Sequence, residues 1–403
     1  MATLTSPGLN SGIDINGLVS QLVAAEAAPA QQQFFRQETR LTAQLSALGT
    51  LRSAMAALKS SLDGLNEAAD FGLLTATSSR EDLFSATAST GAVTGQYAVE
   101  VSRIAQYHKL ASATLAADTV IGGSAGDQLS LMVDGQSIDV DLSQGKTLAE
   151  IRDAVNESAG NPGVTATLIN VTDVDQALVL TSADTGYVHR IEATETITSG
   201  GTLAFATANL DATGAPLVDL ANLDASVRLD GLQITRPGNE ITDAIEGVSI
   251  TLHQAEAGAQ ASLRVEPDKD AVTASVTAFV DKYNALVRTL DAVSGYRGED
   301  VEQPVLFGDA MTRSIGSRLR SELGQAIGNL SGAFSRLAEI GVDTNTDGTL
   351  VLDRTKLSDA LAQDLSGVGE LFFSEHGFAT RIDALLASYV DANGVLELSL
   401  IHI

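Results

Sequence analysis

Asp343-Thr344-Asn345-Thr346-Asp347-Gly348 is the stretch of this 403-residue chain whose residue types come nearest to a reactive or metal-binding site. Oxygen donors at alternate positions and a glycine at the sixth match the first half of an EF-hand calcium loop, which needs a bidentate carboxylate at position twelve. That position holds Arg354, and Asp353 stands one place early. The expectation is therefore a turn between two short strands, with Leu350 and Leu352 on one strand face. His108, His189, His253, His376 and His402 fall into no i,i+4 or His-Glu-x-x-His arrangement, so a zinc site is not expected. Neither a Gly-x-Ser-x-Gly elbow nor a phosphate-binding Walker loop occurs. Asp139 and Asp141 straddle Val140, but in a chain with 51 acids such a pair reads as solvated surface. No catalytic residue, metal or cofactor is assigned, and the chain is not expected to be an enzyme.

Composition narrows the classes further. Acidic residues outnumber basic ones 51 to 24, a formal charge of −27. Such a surface repels phosphate backbones and anionic lipid, which argues against nucleic-acid and membrane partners. No run reaches the roughly 18 apolar residues of a membrane span, and the N-terminus lacks the basic and apolar regions of a cleaved signal. Tryptophan is absent and aromatics make up 4%, which weakens a stacking platform for sugars or bases. The absence of cysteine has two readings, chance or avoidance of crosslinks in a chain that travels unfolded. At 44% apolar residues, two to four domains with real cores are expected.

The elements that would position anything are legible in the periodicities. After Pro7, Gly8 and Gly12, helix is expected to about residue 68, interrupted near Pro29. Leu48, Leu51, Met55, Leu58, Leu62 and Leu65 recur at three- and four-residue intervals, an a/d seam that another helix must cover. Tyr97, Val99 and Val101 alternate as a strand. Leu129, Leu131 and Val133 lead through Asp134-Gly135 to Ile138, Val140 and Leu142, a hairpin. Thr147 and Glu150 then cap a helix with Leu148, Ile151 and Val155, and strands follow at 164–171 and 178–181. A shorter echo runs from Val227 through Asp230-Gly231 to Leu252, with a helical turn expected at Ile241, Ala244 and Ile245. Residues 196–222 read as a connecting loop. Helices return after 268, the first with Val272, Val276, Phe279, Tyr283, Leu286 and Leu290 as core. Helices, strands, then helices again predict an α+β multidomain fold, a helical leg or coiled-coil domain carrying inserted β-rich head domains.

Several blocks together resemble the bacterial flagellar filament cap family, flagellar hook-associated protein 2. They are Gly8-Leu9-Asn10-Ser11-Gly12-Ile13-Asp14 with Leu18-Val19-Ser20-Gln21-Leu22, Gly95-Gln96-Tyr97-Ala98-Val99-Glu100-Val101, and Leu180-Thr181-Ser182-Ala183-Asp184-Thr185-Gly186. Ile241-Thr242-Asp243-Ala244-Ile245-Glu246-Gly247-Val248, Phe279-Val280-Asp281-Lys282-Tyr283-Asn284 and Leu306-Phe307-Gly308-Asp309 continue the likeness. The resemblance implies a ring-forming homo-oligomer at the growing flagellar tip, exported by the flagellar type III apparatus, that promotes flagellin folding and insertion. Implied partners are further copies of itself, flagellin, the hook–filament junction proteins and an export chaperone.

On this basis residues 1–40 are expected to contact the flagellar shaft through Ser11, Gly12, Ile13, Asp14, Leu18 and Leu22. Residues 41–72 plus 268–396 form the leg, 73–125 plus 223–267 a first head domain, and 126–222 a second containing a ββαββ module at 128–187. The six-residue seam is expected to serve assembly. Family members continue into a long C-terminal helix, whereas residues 398–403 here read as a non-native tail after a truncation, which would leave the seam partly uncovered. Rival expectations are a surface adhesin binding mucin or glycans, and a related flagellin or junction protein.

Overall fold

The computed structural model describes residues 15–328, 330–392 and 394–396. Its α-helices, in chain order, are α1 (Ile15–Ser61), α2 (Leu148–Asn156), α3 (Lys269–Ser294), α4 (Ala310–Gly324), α5 (Arg354–Gln363), α6 (Leu365–Phe373) and α7 (Phe378–Val390). The chain divides into a mostly helical unit, built from both ends up to Leu73 and from Asp268, and a β unit spanning Leu74–Pro267. This is an α+β multidomain architecture.

In the helical unit, the end of α1 packs on α3 and α7. Leu48, Leu51, Met55, Leu58, Leu62 and Leu65 are all buried in one core with Val276, Phe279, Tyr283 and Leu286 of α3 and Ile382 and Leu386 of α7. Each such side chain contributes roughly 1.5–3 kcal/mol relative to exposure. Two expectations are corrected here. The seam is not left half uncovered, and its six side chains are not open to another copy, because helices of the same chain close over them. Heptad spacing demands a covering helix but does not say which chain supplies it. The expected interruption at Pro29 is also absent, since α1 runs through it as one helix of 47 residues. Proline there removes one backbone hydrogen bond, and the freed Ala25 carbonyl lies on an exposed stretch where water can satisfy it.

Aspartates start most of the remaining helices. Asp268, Asp309, Asp353 and Asp364 each accept from a backbone N–H in the first turn that follows, the role a short acceptor side chain fills best. Asp353, one place short for a calcium loop, is thus the cap of α5. The Asp343–Gly348 stretch is the turn of a hairpin pairing Val342–Thr344 with Leu350–Leu352. The Asp347 carboxylate accepts from Thr349 N–H and Oγ1–H at 2.9 and 2.6 Å, and Asn284 of α3 clamps Leu350 through both backbone groups.

The β unit has two cores. In the first, one sheet runs in the order 74–78, 261–267, 95–103, 225–229, 232–236, and a second joins 240–245, 248–252 and 84–88; Phe84, Val99, Val101, Val227, Ile250 and Leu263 fill it. In the second, α2 and the hairpin 128–133/136–141 pack with the sheet centred on Asp175–Thr185. Asp134-Gly135 and Asp230-Gly231 both hold positive φ at each residue (47° and 76°, 47° and 84°). That is the type I′ turn whose twist suits a two-residue hairpin. The Thr147–Glu150 capping box forms as expected.

Two details differ. Ile241–Ile245 is not a helical turn but part of strand 240–245, paired with 248–252 around a bulge; three apolar residues cannot distinguish the two periods, and the neighbouring hairpin strand, itself paired with 84–88, decided it. The boundary between the two β cores also falls earlier than 125. Strands 107–111 and 115–116 pair with 175–185, and Leu110 and Ile121 lie in the second core. Edge hydrogen bonds with 175–185 hold the segment there.

Candidate assembly surface

At 1.5 Å per residue α1 is about 70 Å long. Burial along it begins only at Ala47, and from there the helix is anchored. Lys59 Nζ donates to Asp383 Oδ1 of α7 at 2.8 Å, and this hydrogen bond, opposed by desolvation, lifts the ammonium above its ordinary value. Upstream, the large apolar side chains face solvent. Leu18 is 57% exposed, Leu22 66%, Phe34 71% and Phe35 70%. Val19 and Val23 are exposed beside them. Leu18 and Leu22 are one turn apart and share a face, as do Val19 and Val23.

The seam itself continues into this region. Phe34, Leu41 and Leu45 precede Leu48 at intervals of seven, four and three residues, with Leu45 still 48% exposed. One stripe is therefore buried over its second part and open over its first. Isolated exposed leucines are ordinary, but a concentration of them on a single long helix is the mark of a surface awaiting a partner. The chemistry available here is apolar burial, not catalysis.

Of the six residues expected to touch a shaft, Leu18 and Leu22 lie on this open face. Ser11, Gly12, Ile13 and Asp14 lie outside the described residues. Phe34, Phe35, Leu41 and Leu45 went unassigned by sequence reasoning, although extending the seam's own spacing toward the N-terminus would have found all but Phe35. Among the described residues no group of three or more His, Cys, Asp or Glu could hold a metal ion. No described helix is long and apolar enough to cross a membrane.

A helical unit made from both ends of the chain, a β unit inserted between them and an open apolar helix together define an assembly protein. Comparison with known proteins gives the family. Residues 11–108 match the model of the flagellar hook-associated protein 2 N-terminus, 121–184 the flagellin hook IN motif, and 223–400 the flagellar hook-associated protein 2 C-terminus. The B-type flagellar hook-associated protein 2 of Pseudomonas aeruginosa is 33% identical over 410 residues, covering 97% of this chain and 85% of the relative. The Escherichia coli flagellar hook-associated protein 2 is 30% identical over 98% of this chain and 86% of its own length. The crystal structure of the D1-D2-D3 domains of the E. coli flagellar cap protein FliD superposes with a TM-score of 0.63 at 30% identity, covering 89% of this chain and all of that one. The chain belongs to the flagellar hook-associated protein 2 family.

Proposed function

We propose that this protein caps the bacterial flagellar filament and promotes folding and insertion of flagellin at the growing tip, so that filament elongation and motility depend on it. Its relatives are named flagellar hook-associated protein 2, and a homologue of known structure is named a flagellar cap protein. The observation that carries the reading is the open apolar half of α1, which leaves the chain incomplete as a lone particle. In this reading residues 1–40 contact the shaft, Leu18 and Leu22 bury against it, the helical unit is a leg, and the two β cores are head domains. Copies of the chain form a ring. Flagellin and the hook–filament junction proteins are its neighbours, an export chaperone escorts it, and it reaches the extracellular tip through the flagellar type III apparatus. Contacts with the shaft made by several modest apolar side chains suit a cap that must release and rebind as each subunit is added, because weak interfaces exchange quickly.

The test is complementation of a cap-deficient strain with Leu18→Asp plus Leu22→Asp. Bare hooks with monomeric flagellin in the medium, seen by electron microscopy and immunoblot, are the expected result. Filaments of normal length from cells carrying the double variant would reject the assignment of this face.

A further inference from the structure

An open cleft of about 390 Å³ lies between α3 and α4, beside the 345–349 turn. Its lining includes Tyr283, whose side chain is fully buried and whose hydroxyl finds no hydrogen-bond partner among the described residues. Burial pushes that phenol above its ordinary value while the charge of Arg320 pulls the other way, and Arg320 lines the same cleft. Arg313 and Arg320, seven residues apart on α4, share the cleft face. Arg320 joins no hydrogen bond or ion pair among the described residues, and Arg313 makes only a 3.3 Å contact with the Gly308 carbonyl.

The carboxylates lining the same cleft are already engaged. Asp291 pairs with Arg297 at 3.1 Å, and Asp347 accepts from Thr349. Between the two arginines sits Gly316. A Cβ there would meet nothing closer than 3.8 Å, so packing does not require glycine, and within a helix glycine is disfavoured relative to every residue but proline. Its effect is to leave a notch beneath two cations that join no ion pair among the described residues, with Tyr283 among the residues lining the cleft. A buried polar group without a partner is costly and uncommon; an incoming carboxylate oxygen would satisfy it.

The chain carries a matching group. The loop after α3 holds Glu299, Asp300 and Glu302, all exposed and without an ion pair among the described residues. Gln303 folds this loop onto itself by donating to the Gly298 and Val301 carbonyls at 2.6 and 3.0 Å. In a protein of net charge −27, acidic segments of other copies are the partners present at highest concentration in any ring.

We propose that this cleft receives a carboxylate of the 299–302 loop of a second copy of the chain, bound by Arg313 and Arg320 and by the Tyr283 hydroxyl. Repeated head to tail from copy to copy, rather than exchanged within one pair, such a contact closes a ring. The inference rests on the ring reading above and specifies which contacts drive it.

The experiment uses the full-length chain. Sedimentation velocity is run on wild type, on Arg313→Glu plus Arg320→Glu, on Glu299→Arg plus Asp300→Arg plus Glu302→Arg, and on the chain carrying both sets. Either set alone is expected to weaken self-association about tenfold or more, and the combined reversal to recover it, since complementarity is restored. A synthetic peptide spanning residues 296–304 should bind wild type in a salt-sensitive way. It should bind Tyr283→Phe more weakly although that variant unfolds no more easily. Self-association indifferent to both sets, failure of the combined reversal, or no peptide binding overturns the proposal while leaving the capping reading intact. A chain that binds the peptide yet stays monomeric at every concentration removes the second copy as occupant, and the complementation test then decides the capping reading separately.

Discussion

The two parts of α1 share one helix and one apolar stripe, yet they live in different environments. From Ala47 onward, leucines and Met55 lie in a core with α3 and α7, fixed further by the Lys59–Asp383 ion pair. Before it, Leu18, Leu22, Phe34 and Phe35 stand in water. The covered part behaves as any domain core, whereas the open part holds its helix with little tertiary packing. Helical stability in proteins comes chiefly from burying an apolar face. The open part therefore gains most from a partner, and the covered part gains nothing from one.

Charge substitutions separate the two most sharply. Met55→Glu plus Leu58→Glu should destabilise the helical unit by more than about 4 kcal/mol, because two carboxylates would enter an apolar core without partners. Urea unfolding followed by circular dichroism measures it, and a loss below 1 kcal/mol would mean the seam is not core. Pro29→Ala acts on the other part. It should stabilise the local helix by up to about 3 kcal/mol, read as slower amide hydrogen exchange over residues 24–33, with the global unfolding midpoint unchanged. Should the midpoint rise instead, the two parts unfold as one.

Lys59→Met is expected to cost under about 1 kcal/mol, since the pair is partly exposed and screened. The Lys59 ammonium is held above its ordinary value in the folded state. Its contribution is therefore fully present below about pH 10.4 and disappears as pH rises through the folded-state value. Unfolding of wild type and Lys59→Met should accordingly differ at pH 8 and converge in strong alkali. The smallest change in stability, within about 0.5 kcal/mol, belongs to Leu18→Asp plus Leu22→Asp. Equal unfolding midpoints combined with failed filament capping would confirm that this face works only between molecules.

Much of the molecule was readable in advance because its signals are local. Asp134-Gly135 and Asp230-Gly231 dictate positive φ turns, Thr147 and Glu150 cap a helix with their own side chains, and the α3 stripe needs no knowledge of its neighbours. The misread strands depended on partners that their own residues do not specify. Strand 240–245 is decided by pairing with 248–252. Tyr107–Ala111 sits in the second β core because Asp175–Thr185 offers it a sheet edge. Tyr283 read correctly as core, but nothing in its spacing announced an unsatisfied hydroxyl on a residue that shares a cleft with Arg320.

Residue order alone determined the α+β class, the insertion of strands between two helical stretches, and the likeness to the flagellar cap family. These follow from periodicity, turn chemistry and motif spacing, which operate over a few residues at a time. Only the tertiary structure decided which part of the long apolar stripe is already covered. An a/d pattern specifies that a helix must lie against it, while the identity and chain of that helix depend on contacts hundreds of residues away.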